Sequence, residues 1–156
     1  MKEKNIITRV EVLDYSELND TDRMLVEKAK EMTKNSYCPY SKFHVGAALL
    51  LSNGEVVGGA NQENAAFPSG TCAERSAIFY AHANYPEAKF ESLAIAAFTN
   101  GDFVAEPAAP CGACRQAILE YETLAGKPIR ILLAAKDFVY AIDGIGSLLP
   151  LCFSEF

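Results

Sequence analysis

The chain has 156 residues, half of them apolar, and a formal charge of −6. That length suits one domain burying most of its surface and makes a second domain unlikely. The acidic balance argues against a protein that grips nucleic acid, whose affinity comes from Lys and Arg displacing counterions, and points instead to a small neutral substrate.

No basic-then-apolar leader is visible and the apolar runs are strand-sized and interrupted, so the expectation is a cytoplasmic protein with no membrane span. In that compartment the five cysteines are metal ligands or buried thiols rather than disulfides. Cys38 and Cys152 stand in no motif and are read as ordinary thiols.

Residues 1–18 are expected to form an N-terminal arm or strand, with Ile, Thr and Val partly alternating over 6–13, ahead of a single domain over 19–156. Asp20-Thr21-Asp22 supplies helix-start chemistry, and Met24, Leu25, Ala29 and Met32 recur at helical spacing up to about Asn35. Pro39-Tyr40-Ser41 breaks that pattern. Residues 43–51 and 55–60 then predict a hairpin closed by Asn53-Gly54 in a type I′ turn. A loop over 61–70 leads into Cys72, and residues 72–83 place Ala77, Ile78 and Ala81 at helix-compatible spacing. The continuous apolar run 92–98 predicts a strand covered on both faces, followed by a loop over 100–109 bounded by Pro110. A helix over 111–122, strands over 129–135 and 138–142, and a tail of Leu148-Leu149-Pro150 with Phe153 and Phe156 complete the chain. The alternation predicts an α/β fold, a three-layer α/β/α sandwich around a mixed sheet, with strand order left open.

The chemistry lies in two stretches, Thr71-Cys72-Ala73-Glu74-Arg75 and Pro110-Cys111-Gly112-Ala113-Cys114-Arg115. A Cys-x-x-Cys presents two thiolates one helical turn apart, and Cys72 makes a third sulfur for zinc. A zinc held by only three protein groups can still bind and acidify water, which separates a catalytic site from a structural one. Taken as helical, Glu74 points about 200° away around the axis from the Cys72 sulfur. It is therefore read as a proton-shuttling carboxylate beside the metal rather than a ligand. Each stretch opens a helix, so both helix N-termini direct partial positive charge at the thiolates, and Arg75 and Arg115 are expected to offset their excess negative charge. Alone, the Cys-x-x-Cys would equally suit a redox pair or two structural thiols. Neither His44 nor His82 is placed to complete the set, and both are read as packing or surface residues.

With these stretches in view, the chain resembles the small homotetrameric cytidine deaminases from about Pro39 to Phe153. The matching pieces are Pro39-Tyr40-Ser41-Lys42-Phe43-His44-Val45-Gly46-Ala47-Ala48-Leu49, Asn61-Gln62-Glu63-Asn64-Ala65, the two cysteine stretches through Gln116, and Leu148-Leu149-Pro150. The resemblance implies one Zn²⁺ per subunit on Cys72, Cys111 and Cys114. It implies that Glu74 carries protons while cytidine or deoxycytidine is hydrolysed to uridine or deoxyuridine and ammonia, the chemistry of pyrimidine salvage. It further implies that Asn61 and Glu63 hold the ribose 3′-hydroxyl, that Phe43 lies against the pyrimidine, and that the Ala73 and Cys111 amides touch the substrate. Sites are shared between subunits in such tetramers, and Phe153 matches the phenylalanine that enters the neighbour's pocket. Phe67, where relatives often carry tyrosine, and Gln62, in place of an apolar residue, depart from the pattern and leave the substrate preference open. The competing expectations are a deaminase of a cytosine-containing antibiotic nucleoside and, outside enzymes, a zinc- or nucleoside-binding module, which would not need Glu74. Nucleic acid and membrane partners are not expected.

Overall fold

Among residues 1–154, which a computed structural model describes, three α-helices flank one seven-stranded sheet. In chain order the elements are β1 (Glu11–Asp14), α1 (Asp20–Met32), β2 (His44–Leu51), β3 (Val56–Ala60), α2 (Ala73–Asn84), β4 (Phe90–Thr99), β5 (Asp102–Phe103), α3 (Gly112–Ala125), β6 (Arg130–Ala134) and β7 (Phe138–Asp143). The sheet runs β1-β7-β6-β4-β2-β3, with β5 attached to β4. Only the β4–β6 pair is parallel, joined by a crossover through α3, and every other pairing is antiparallel. The expected mixed sheet and α/β class are thus what forms.

Two apolar cores give the three layers, and strand alternation divides the residues between them. Leu93 and Ile95 of β4, Leu49 of β2 and Ile131 and Leu133 of β6 face α2 and α3. The residues between them, Ala94 and Ala96, Ala48, and Leu132 and Ala134, face α1. Small residues on the α1 side let that helix lie close. A Cβ on Gly46 would stand 2.1 Å from the Ala29 carbonyl oxygen, and one on Gly59 of β3 would stand 2.4 Å from the Ala73 carbonyl oxygen at the start of α2. Gly59 therefore sets how near the first turn of α2 sits to the sheet. The Asn19 side chain caps α1 by accepting from the Asp22 amide at 2.8 Å, the helix start the sequence suggests.

The turns differ from expectation. Gly54 is left-handed (φ +88°) but Asn53 is not, and the Gly54 amide donates to the Leu51 carbonyl. That is a three-residue loop ending in a left-handed glycine rather than a type I′ turn. The type I′ dipeptide is Asn100-Gly101, with φ of +53° and +84°, which folds β5 back on β4 inside a stretch expected to be loop. In the N-terminal region only Glu11–Asp14 forms a strand, and it joins the sheet edge beside β7. Leu18 is buried in the α1-side core, so the last part of the expected arm packs with the domain. No helix among the described residues is long and apolar enough to cross a membrane.

Candidate active site

Both cysteine stretches open helices as expected, but Cys72 and Cys111 are N-caps in extended conformation, and the helices begin at Ala73 and Gly112. Neither thiol is spent on capping hydrogen bonds, so each sulfur is available to the space between the two helix ends. There the Cys72 and Cys111 Sγ atoms lie 3.7 Å apart, and Cys114, one turn into α3, completes a group whose sulfurs all fall within 4.8 Å of one another. Tetrahedral zinc with Zn–S bonds of about 2.3 Å requires sulfurs roughly 3.8 Å apart, so the trio fits that ion. His44 and His82 are not in the group: the His82 ring packs on Tyr121 at 5.1 Å, and His44 faces Ser36 and Cys38.

The sulfurs share their protons unequally in the metal-free chain. Cys72 is pulled down to about 5, first by a hydrogen bond from Cys114 and then by Arg75 and Cys111, against the opposing effect of burial. Cys114 is pushed far up, because its hydrogen is committed to Cys72 and burial disfavours a second charge. The Arg75 Nη2 donates to the Cys72 sulfur at 3.7 Å, which is the contact charge compensation needs. Its Nε is buried without a partner among the described residues. Arg115 is turned elsewhere: its Nε donates to the Pro110 carbonyl at 2.8 Å and its Nη1 to the Leu148 carbonyl at 2.6 Å. It ties the C-terminal tail to the loop before Cys111, and the charge-balancing contact expected of it is not formed.

Glu74 does not point away from the sulfurs. The helical-wheel reckoning assumed that Cys72 is helical, whereas its extended backbone brings its thiol round to the side Glu74 faces. The carboxyl is 4% exposed and lines the same pocket. Burial pushes its pKa up, the Cys72 charge adds to this, and a hydrogen bond with Cys114 opposes it. A buried carboxyl with a raised pKa, one turn from metal-type thiols, is suited to taking up and returning a proton.

The pocket is a cleft of about 820 Å³ that takes in Cys72, Cys111, Glu74, Phe43, Asn61 and Glu63. Ala73 lies on its wall as the first residue of α2, where a backbone amide has no partner within the helix. Asn61 is held at both ends of its amide, Oδ1 accepting from the Val45 amide at 2.8 Å and Nδ2 donating to the Phe43 carbonyl at 2.9 Å. The Glu63 carboxylate accepts from the Tyr40 and Ser41 amides at 2.9 and 3.3 Å, and hydrogen bonding, led by the Ser41 side chain, keeps it below the usual carboxylate range. These two amides were missed as site components; the Pro39-Tyr40-Ser41 break was the available signal, since a turned chain frees its amides. The Gln62 side-chain amide is held by the backbone, donating to the Asn35 and Ala60 carbonyls at 3.2 and 3.4 Å. Phe67 stands 75% exposed at the rim against Tyr40. Phe153 is 67% exposed and is not among the lining residues, its carbonyl accepting from Gln116. Phe156 lies outside the described residues.

Comparison with known proteins agrees with this geometry. Residues 19–125 match the family model described as the cytidine and deoxycytidylate deaminase zinc-binding region. A cytidine deaminase of Halalkalibacterium halodurans is 44% identical over 98 residues, 63% of this chain and 70% of that protein. One of Sporosarcina psychrophila is 43% identical over 102 residues, 65% and 70% of the two chains. Among solved structures, a cytidine deaminase from Burkholderia pseudomallei superposes with a TM-score of 0.70 at 35% identity, covering 87% of this chain and all of that one.

Proposed function

The chain belongs to the cytidine and deoxycytidylate deaminase family, and on that premise we propose that it hydrolyses cytidine or deoxycytidine to the uracil nucleoside and ammonia. The observation that carries this reading is the buried Glu74 side chain sharing one pocket with Cys72, Cys111 and the sugar-type polar groups of Asn61 and Glu63, while the buried Cys114 completes the zinc-spaced trio. Cys72, Cys111 and Cys114 are the residues that would hold a zinc ion, which when bound would supply a Lewis acid that makes water nucleophilic near neutral pH. Glu74 takes one proton from the water whose oxygen adds to the amine-bearing ring carbon and delivers it to the adjacent ring nitrogen. It then takes that oxygen's second proton and gives it to the amine, so the C–N bond breaks, ammonia leaves and the uracil carbonyl remains, one carboxyl acting as base and acid in turn. Phe43 lies against the base. A sugar hydroxyl both donates and accepts, so the Asn61 amide and the Glu63 carboxylate together satisfy it. Ala73 and Cys111 line the same pocket, and their amides would serve the substrate there.

The family covers a nucleoside and a nucleotide substrate, and the lining favours the nucleoside. Among the described residues its charged side chains are Glu63, Glu74 and Arg75, and Arg75 is engaged with Cys72, so a 5′-phosphate would meet two carboxylates. The assembly we infer is a homotetramer with shared sites. The cleft is open on one side, with Tyr40 and Phe67 exposed at its rim, and Phe153 is exposed and outside its own pocket, as a residue serving a neighbour would be. Reduced thiols at the site suit a cytoplasmic setting.

The test is ammonia release from cytidine, deoxycytidine and deoxycytidylate by purified zinc-loaded protein, with Glu74→Gln alongside. Turnover of the two nucleosides that disappears in the variant supports the reading. Deoxycytidylate consumed faster than either would overturn the substrate assignment, and nucleoside binding without turnover would make the protein a binding module.

A further inference from the structure

Three chain segments meet beside the sugar-binding end of the pocket, and each is bonded to the other two. The Tyr37 amide donates to the Asn61 carbonyl at 2.9 Å and the Glu63 amide to the Tyr37 carbonyl at 2.7 Å, tying the first segment to the second. Asn61 ties the second to β2 through the Phe43 carbonyl and the Val45 amide, the two backbone groups on either side of His44. The third side of the triangle is the His44 imidazole itself, whose Nδ1 lies 2.7 Å from Ser36 Oγ and 3.2 Å from Cys38 Sγ.

The direction of that contact follows from counting hydrogens. Ser36 Oγ donates to the Thr33 carbonyl at 2.7 Å, which uses its single hydrogen. It can therefore only accept from His44, so the ring carries its proton on Nδ1 and shares it between Ser36 Oγ and Cys38 Sγ. Nδ1–H is present in both the neutral and the doubly protonated ring, so the clasp does not depend on the charge of His44.

We propose that His44 is a positioning residue for sugar recognition: its Nδ1–H fixes the 36–38 segment to β2 and thereby orients the Asn61 amide. The claim rests on the nucleoside reading above, because Asn61 is assigned to the ribose only there. Without the imidazole the triangle loses one side. Asn61 then keeps its bonds but points from a looser frame, which weakens binding of the sugar without touching Glu74 or the sulfurs.

Two measurements on the zinc-loaded protein test it. In nitrogen-correlated NMR of the imidazole rings, with His82→Gln used to assign the two histidines, His44 must show its hydrogen on Nδ1; a ring protonated on Nε2 alone overturns the proposal whatever the enzyme does. In kinetics with cytidine, His44→Ala should raise KM about two- to tenfold, the range of one net hydrogen bond, with kcat within about twofold. His44→Asn, whose amide nitrogen stands near the Nδ1 position, should recover most of the loss. In an Asn61→Ala background His44→Ala should have no further effect on KM, and an additive effect there, or a fall in kcat instead of a rise in KM, refutes positioning through Asn61. A wild type that does not turn over cytidine defeats the functional reading separately, while the NMR result still decides the clasp.

Discussion

The closest backbone approach at the site gives the sharpest test of how the fold sets the metal geometry. In Gly59→Ala the new Cβ would stand 2.4 Å from the Ala73 carbonyl oxygen, 2.6 Å from the Ala77 amide nitrogen and 2.8 Å from the Ala77 Cβ. Ordinary contact begins near 3.4 Å, so α2 and β3 must separate by roughly 1 Å, and the atoms in the way are backbone that cannot rotate aside. Overpacking of this kind costs about 1–3 kcal/mol, which for a domain of this size lowers the melting temperature by about 2–12 °C. The element displaced carries Cys72 as its N-cap and Glu74 in its first turn, and metal and catalytic constellations tolerate only about 0.5 Å of misplacement. Zinc affinity and kcat should therefore fall together, read by competition with a chromogenic chelator and by ammonia release. Gly58→Ala is the control: its Cβ meets the Met32 side chain, Sδ at 2.6 Å, which can swing away, and the loss of unfolded-state freedom offsets the cost by about 0.4–1 kcal/mol. If Gly59→Ala melts with the wild type and holds zinc as tightly, or if Gly58→Ala is equally damaging, the claim that this glycine sets the height of the zinc helix is wrong.

Glu74→Gln should lower kcat by about 10²–10⁴, the range for losing a general acid-base, while zinc content is retained and the melting temperature is unchanged or higher, because a buried charge is removed; cytidine turnover within tenfold of wild type would exclude Glu74 as the proton carrier. Arg75→Gln should reduce kcat more than stability, since it removes the guanidinium beside the Cys72 sulfur; equal turnover in the two proteins counts against charge compensation. In protein stripped of metal, folding lowers the Cys72 thiol from its ordinary value of 9.0 to about 5. The stability linked to that thiolate is fully present above about pH 9 and is lost as pH falls through about 5. Alkylation of the stripped protein followed by peptide mapping should accordingly find Cys72 reactive at pH 6 and Cys114 inert, and the reverse order would contradict the assignment of the first proton lost.

The candidate metal ligands and the carboxylate beside them were legible because their chemistry demands a spacing that sequence displays directly: one turn within Cys111–Cys114 for two of the sulfurs, and a Glu two residues beyond Cys72 for the acid. The direction of Glu74 was not, because a wheel counts every residue as helical and an N-cap is not. Two Asn-Gly pairs look alike in sequence, yet only Asn100-Gly101 has both residues left-handed. The strand lengths and pairing on either side decide which turn each pair makes, and that is a property of the sheet. Arg115 follows its cysteine just as Arg75 follows its glutamate, but helix phase aims it at Pro110 and Leu148 instead of the sulfurs. The Tyr40 and Ser41 amides that hold Glu63 are marked only by the Pro39-Tyr40-Ser41 break, which frees backbone groups without saying what they will bind.

The electrostatics of the site explain why two helices must begin there. Three thiolates around one divalent ion leave a net negative charge, and Glu74 adds to it at the moment it gives up its proton. Among the described residues Arg75 is the cation bonded to these sulfurs, through Nη2 to Cys72, and its Nε has no partner there, so much of the compensation falls to the two helix N-termini, each equivalent to roughly half a positive charge. That compensation works only if the cysteines sit outside the helices as caps, with their thiols free of capping bonds, as Cys72 and Cys111 do. The tie from Arg115 to the Leu148 carbonyl then acquires a purpose other than charge. It holds the α3 start and the tail that leads to Phe153 in one unit, so a substitution such as Arg115→Ala should loosen the C-terminal segment and the approach to Cys111 together. Protection of the Leu148–Phe153 amides from exchange should drop in that variant, while the Arg75–Cys72 contact and the low pKa of Cys72 persist.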